Sequence, residues 1–398
     1  MTEEKKIKIS NKIYPIYYGL SADLIFFVAI NTIFLTNIKN LSAAQINSLT
    51  TFSVLIMLIF NKIILTFIRK IGHINSIRLG NFLLLISAIL FTFGNGYFLI
   101  LLAQILYVNA FLFKSMDSVV LRKNLKYQNR LNEYIHYQNK STLIYSFVTM
   151  IISFISGFLY NMNPYLPMII CILFCINNFI LSFFIYEVKK EEVKQISNEK
   201  FNFTKTILFI LLLYAFLYTA IEIGQVNTKL FLQYNMSEFL EPSKVVISLS
   251  IILSISRIVR TISDFFFDKI YEKIKDKLPL IVNALLIIAF ILVLLGNLIG
   301  RGYIGISIMS IGFFIFLGLR DPLENYCRTI LLNHCREKNH EKAIFYFTVS
   351  RKLGSLIVSM IVTCILLKFH IEYAIFFLFL VAVFNLYLIK KVYQLVRR

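Results

Sequence analysis

Apolar residues fill the chain in windows of about twenty, with short polar breaks between them. A helix rises 1.5 Å per residue, so about 20 apolar residues cross the roughly 30 Å hydrocarbon core of a bilayer. Twelve windows of that size fall near residues 13–36, 45–68, 77–95, 97–121, 141–162, 166–187, 206–231, 245–267, 279–299, 302–324, 342–366 and 373–389. Lipid offers no water to satisfy backbone N–H and C=O groups, and helices satisfy their own. The pattern therefore predicts an all-α integral membrane protein with twelve transmembrane helices. Pro15, Pro164, Pro167, Pro242, Pro279 and Pro322 fall at or near the predicted span edges, where a missing N–H costs least.

The polar breaks alternate in charge. With the N-terminus in the cytoplasm, the segments on that side hold 28 Lys and Arg. The opposite loops hold four, Lys39, Lys244, Arg301 and Lys368. Positive residues stay inside, so both termini are expected in the cytoplasm of a cell (plasma) membrane. Composition sharpens the class. The chain is 58% apolar and 16% charged, against about 45–50% and roughly 25% in soluble proteins. A soluble globule, a disordered chain and a disulfide scaffold are excluded. The net charge of +20 follows mostly from the loop asymmetry and suits anionic lipid headgroups. No basic domain large enough to hold a nucleic acid lies outside the spans. The spacing of Cys327, His334, Cys335 and His340 matches no zinc pattern, and neither metal nor cofactor is expected. The first apolar run is too long for a signal-peptide core, so no cleavage is expected.

The longest polar stretch, residues 188–205, divides the spans six and six. The halves share a rhythm. Loops on one side are very short, as at Gly96–Tyr97 and Gly300–Gly302. Basic stretches at Arg122–Lys140 and Tyr326–Lys342 occupy equivalent places and are long enough for a short surface helix. Between spans two and three stands Leu65-Thr-Phe-Ile-Arg69-Lys70-Ile-Gly72-His73, and the equivalent place in the second half reads Asp264-Phe-Phe-Phe-Asp268-Lys269.

On these features the chain resembles the major facilitator superfamily over its whole length. The superfamily's loop there usually reads G-x-x-x-D-R-x-G-R-K/R. This chain keeps Lys-x-Gly without the leading Gly and Asp, and span five lacks the proline motif of drug antiporters. The resemblance implies two pseudo-symmetric six-helix bundles, residues 1–187 and 206–398, joined by a cytoplasmic linker at 188–205. It also implies a substrate site near midplane lined mostly by spans 1, 4, 7 and 10.

Charges inside spans cost about 2.5–3.5 kcal/mol at the bilayer centre on insertion scales, so they mark function or pairing. Each of spans 1, 4, 7 and 10 carries an acid. Asp23 lies about ten residues into its window, roughly 15 Å deep, and Glu222 lies in the middle of span 7. Both are expected to be coupling or cavity acids. Arg257 and Arg351 lie midway in spans 8 and 11 with no acid three or four residues away. Each needs a partner on another helix or an anionic substrate, and Glu222 is a plausible partner for Arg257. Asn31 follows Asp23 by eight residues and so shares its helix face. With Gln104, Asn109, Tyr214, Tyr218, Gln225 and Asn227 it completes the expected polar cavity wall. Lys114 and Asp117, and Arg260 and Asp264, are spaced for neutralisation along one helix face. Together with Arg320, Asp321 and Glu324 they are expected to form a cytoplasmic gate.

No phosphate-binding glycine loop, serine elbow or paired-histidine helix is present, so the chain is not read as an enzyme. The expectation is a monomeric secondary transporter working by alternating access, with a small-molecule substrate, a proton or Na⁺ as coupling ion, and membrane lipids around it. Isolated cavity acids and a wall rich in Phe favour efflux of drugs or amphiphiles by proton antiport. The arginines instead suit uptake or exchange of an anionic or zwitterionic metabolite such as a sugar, amino acid or peptide. A lipid flippase would use them to bind lipid phosphate.

Overall fold

Each of the twelve apolar windows becomes a helical stretch long and apolar enough to cross a bilayer. A computed structural model describes residues 2–130, 133–188, 203–274, 277–299, 302–335 and 340–396, apart from the side chains of some helical residues, Asp264 and Asp321 among them. The first span is built from α1 (Glu3–Ser21), α2 (Ile25–Ile33) and a π-helical turn at Phe34–Ile38. α3 (Ala43–Ile71) and α4 (His73–Phe93) follow. The fourth span is α5 (Tyr97–Lys114) with α6 (Met116–Tyr127). α7 (Tyr134–Met162) and α8 (Leu166–Leu181) end the first half. The second half comprises α9 (Lys205–Ser237), α10 (Pro242–Ile274), α11 (Leu278–Ile299), α12 (Tyr303–Asn333), α13 (His340–Lys368) and α14 (Ile371–Val396). No strand occurs among the described residues.

Local chemistry sets several of these ends. Before α3, the Ser42 N–H donates to Gln45 Oε1 (2.9 Å) and the Gln45 N–H donates to Ser42 Oγ (3.2 Å), a reciprocal capping box. Thr204 Oγ1 accepts the Ile207 N–H at the start of α9. Gly72 separates α3 from α4 with φ +82°, a backbone state that costs other residues energy.

Three expectations are corrected. Pro15 lies inside α1 and Pro322 inside α12, because both helices run well beyond their apolar windows. Among the described residues, the two long basic stretches hold no separate surface helix. α6 and α12 instead carry spans four and ten onward to Tyr127 and Asn333. The first and fourth spans are not single helices, and both breaks fall at functional candidates described below.

The chain groups into two units, residues 1–40 with 52–197, and residues 41–51 with 198–398. In the first, α1 packs on α7 and α8, and α4 on α5 and α8. Gly80 on α4 permits that approach: a Cβ there would meet Ala110 O at 2.8 Å and Lys114 Cγ at 2.6 Å. Small residues at such crossings are how membrane helices pack closely. In the second unit α9 is the centre, contacted by α10, α11, α12, α13 and α14. Gly354 lets α13 close on the Ala215 carbonyl of α9. The first turns of α3 belong to this unit. Asn47 and Asn227 exchange amide hydrogen bonds (3.1 and 3.3 Å), and Thr51 Oγ1 donates to Ser359 Oγ (2.9 Å).

The stretch after α8 is pinned to the first unit. Ser10 and Asn124 hold the Tyr186 backbone, and Asn124 accepts the Val188 N–H. Glu187 Oε1 lies 2.7 Å from His73 Nδ1 and 2.8 Å from Lys123 Nζ. Burial works to raise the Glu187 pKa, but the hydrogen bonds from His73 and Lys123 outweigh it and hold the carboxyl below its ordinary 4.5. A carboxyl lowered in the fold contributes stability above its unfolded pKa and loses it as pH falls through the folded value. Thermal stability of the purified protein is therefore expected to drop below pH 4.5, and less steeply in Glu187→Gln. An acid limb identical in the two proteins would contradict this role.

Candidate functional site

In the first unit, helical bonding stops at Ser21 and resumes at Ile25, so residues 22–24 interrupt the span. Asp23 sits in the interruption, half-buried. Its Oδ1 accepts the Leu24 N–H at 2.8 Å, a local bond that competes with helix continuation. Tyr107 Oη donates to the same oxygen, and Tyr145 Oη donates to Oδ2 at 3.4 Å. The last carbonyls of α1 need partners that a broken helix cannot supply. Asn178 Nδ2 donates to Leu20 O at 2.9 Å, and Lys114 Nζ donates to Ser21 O. The aliphatic stem of Lys114 passes Gly80, and its ammonium lies 5.9 Å from the Tyr17 ring and 5.6 Å from the Phe111 ring. The fourth span breaks at Ser115, immediately beyond Lys114. Lys114 ends α5 and Asp117 begins α6; both are buried, and each lies in the other's electrostatic field without a direct ion pair. Asp117 occupies the first turn of α6, where a helix favours negative charge.

In the second unit, α9 carries Tyr214, Tyr218 and Glu222 toward α12 and α13. Glu222 Oε1 lies 3.4 Å from Arg351, whose other terminal nitrogen is 3.9 Å from Glu324. Glu324 also accepts from Arg328 at 2.8 Å. The Arg351 guanidinium lies 4.3 Å from the Tyr218 ring centroid, a cation–π arrangement. Arg320 Nε donates to the Tyr218 hydroxyl at 2.8 Å. Lys352 adds a further cation to the field at Glu222. The partner expected for Glu222 is corrected: the carboxylate meets Arg351, not Arg257. Arg257 is buried on α10, and its electrostatic neighbour is Lys229 of α9.

The remaining candidates separate. Asn31 lies on α2, beyond the break that holds Asp23. Its side chain accepts the Thr32 N–H. Asn109 Nδ2 donates to Ile105 O, while Gln104 and Gln225 are half-buried. Asn227 is fully buried against Asn47, and Tyr214 is buried with its ring stacked on Phe347 (3.7 Å, 11°). Both are buried in packing contacts, and Tyr214 also lies in the fields of Glu324 and Arg351. Of the expected gate, Arg320 and Glu324 converge around Tyr218 and Arg351, and Arg260 is buried on α10. The side chains of Asp264 and Asp321 lie outside the described residues. Asn178 and Lys352 complete the two centres and were not singled out from sequence as cavity residues. Asn178, a polar residue within the apolar sixth span, was the visible signal.

The sequence profile of the Major Facilitator Superfamily matches residues 17–359. A search of curated proteins returns no match. Among solved structures, the chain is similar to the nucleoside transporter NupG (TM-score 0.68, 10% identity, 99% of both chains covered). It is also similar to a bacterial homologue of the iron transporter ferroportin in an inward-facing state (TM-score 0.69, 11% identity, 98% of this chain and 99% of that one). A third likeness is to a bacterial homologue of the human lysosomal transporter Spinster (TM-score 0.65, 9% identity, 100% and 98%). At these identities the likeness is one of fold.

Proposed function

This chain belongs to the major facilitator superfamily, and on that footing we propose that it is a proton-coupled secondary transporter of the plasma membrane, exporting amphiphilic small molecules by alternating access. The observation that carries the reading is the Asp23 carboxylate in a helix break, under the hydroxyls of Tyr107 and Tyr145. Irregular backbone at membrane depth is tolerated where it is buried in protein or lines a cavity, and an acid there is a workable proton carrier. The asymmetry of 28 basic residues against four supports cytoplasmic termini.

A second reading is favoured by a separate observation. Around Tyr218, the cations Arg320, Arg351 and Lys352 gather beside Glu222 and Glu324. Such a centre suits an anionic or zwitterionic metabolite.

The test uses purified protein in proteoliposomes containing a pH-sensitive dye. Cationic dyes, sugars, amino acids, peptides and phosphorylated compounds are imposed in turn. Proton flux with cationic amphiphiles is the expected result, and flux with phosphorylated or zwitterionic compounds supports the second reading. Silence with every compound, in vesicles that hold an imposed pH gradient, overturns proton coupling. Stimulation by lipid headgroups with no dependence on the pH gradient would instead mark a flippase.

A further inference from the structure

We propose that the break between α1 and α2 is a monovalent-cation site whose resident cation is the protein's own Lys114 ammonium. The end of a helix carries partial negative charge on its unpaired carbonyls, which favours a cation. Lys114 Nζ supplies one at Ser21 O. The surrounding atoms are hard oxygens, the kind that bind s-block cations. The Ser21 carbonyl takes the ammonium directly, the field of the Asp23 carboxylate reaches it, and the Asn178 amide is bonded to the adjoining Leu20 carbonyl.

The Asn178 amide shows that this end of α1 offers more oxygen than a lysine tip needs. Ser21 is 1% exposed and Asn178 is 5% exposed. Among the described residues, Asn178 Oδ1 is buried without a hydrogen-bond partner. Orphaned buried oxygens are costly and call for a donor or a cation. Asn178 is also anchored at the spot by its bond to Leu20 O, so its amide is held beside the end of α1.

The charge must be single. One ammonium stands beside Asp23 and Asp117, whose fields both reach it, and a monovalent ion replaces it without changing that balance. The Lys114 stem reaches the break only because position 80 is glycine. Lys114 is thereby a specificity-determining residue. While it fills the site, an external Na⁺ or K⁺ cannot enter, and coupling is left to the proton. The inference deepens the role proposed for Asp23 and rests on that reading for its use in transport. Binding itself is measured without transport, so the two can fail separately.

The test is thermal unfolding of the full chain in detergent, with choline replaced by Na⁺ or K⁺ at constant ionic strength. Wild type is expected to respond to neither ion. Lys114→Ala is expected to gain about 3 °C or more in Tm with one of them, and Lys114→Ala/Asp23→Asn is expected to lose that gain. If Lys114→Ala does not fold, Lys114→Asn, polar but too short to reach Ser21 O, is read in the same way. A lysine-free variant indifferent to both ions overturns the proposal. A gain that survives Asp23→Asn, or an equal gain in wild type, also overturns it.

Discussion

Asp23→Asn is expected to lower gradient-driven transport by about 10- to 100-fold, the range of a coupling free energy of about 1–3 kcal/mol, while leaving the protein folded. The amide keeps an oxygen to accept the Leu24 N–H and the Tyr107 hydroxyl, so the local geometry of the break survives. What is lost is a group that can change charge. The measurement is initial-rate uptake or efflux in proteoliposomes with an imposed pH gradient, beside substrate exchange with no gradient. Exchange is expected to persist when gradient-driven movement is gone. Full gradient-driven transport by both Asp23→Asn and Glu222→Gln would remove the coupling role assigned to these acids.

Arg351→Ala is expected to destabilise the second unit more than any single change to the acids around it. The guanidinium faces Glu222, Glu324 and the Tyr218 ring together. Removing it leaves Glu222, whose Oε2 is already buried without a hydrogen-bond partner, with only the more distant fields of Lys352 and Arg320. Removing one member of a buried pair costs about 3–5 kcal/mol. The Arg351 and Glu222 side chains are 21% and 30% exposed, which argues for a smaller loss of about 2–3 kcal/mol. Glu222→Gln is expected to cost less, because Arg351 keeps Glu324. Arg351→Lys is expected to recover only part of the loss, since one ammonium cannot span two carboxylates as a guanidinium fork does. Thermal unfolding of the four proteins in one detergent gives the order. Arg351→Ala as stable as wild type would show that the cluster carries no stability.

The spans were legible because lipid imposes a length and a composition on every crossing, and the windows at 77–95, 141–162 and 279–299 needed only a few residues of adjustment. The breaks were not legible. Residues 22–24 read Ala-Asp-Leu, without the glycine or proline that usually announces an interruption. Ser115 is equally quiet. What caps the first break is tertiary: Lys114 and Asn178 donate to carbonyls 93 and 158 residues away in sequence. Asp23 itself was legible as an acid among apolar residues, but its tyrosine partners come from α5 and α7. The same limit explains Arg351, whose need for a partner on another helix was readable while the partner was not. The i+3 spacing of Lys114 and Asp117 is met by mutual electrostatic influence across Ser115, not by a direct ion pair.

The assignment of residues 41–51 to the unit formed otherwise by 198–398 bears on how the protein could be divided for expression. A cut within 189–202 looks natural from sequence, yet it separates Asn227 and Ser359 from Asn47 and Thr51. A C-terminal fragment made alone would bury an amide and a hydroxyl lacking their mates. A split-protein system, or a hybrid that swaps halves with a relative, would have to carry this eleven-residue segment across the boundary as a matched insert. The covalent midpoint of this chain is therefore not its modular one.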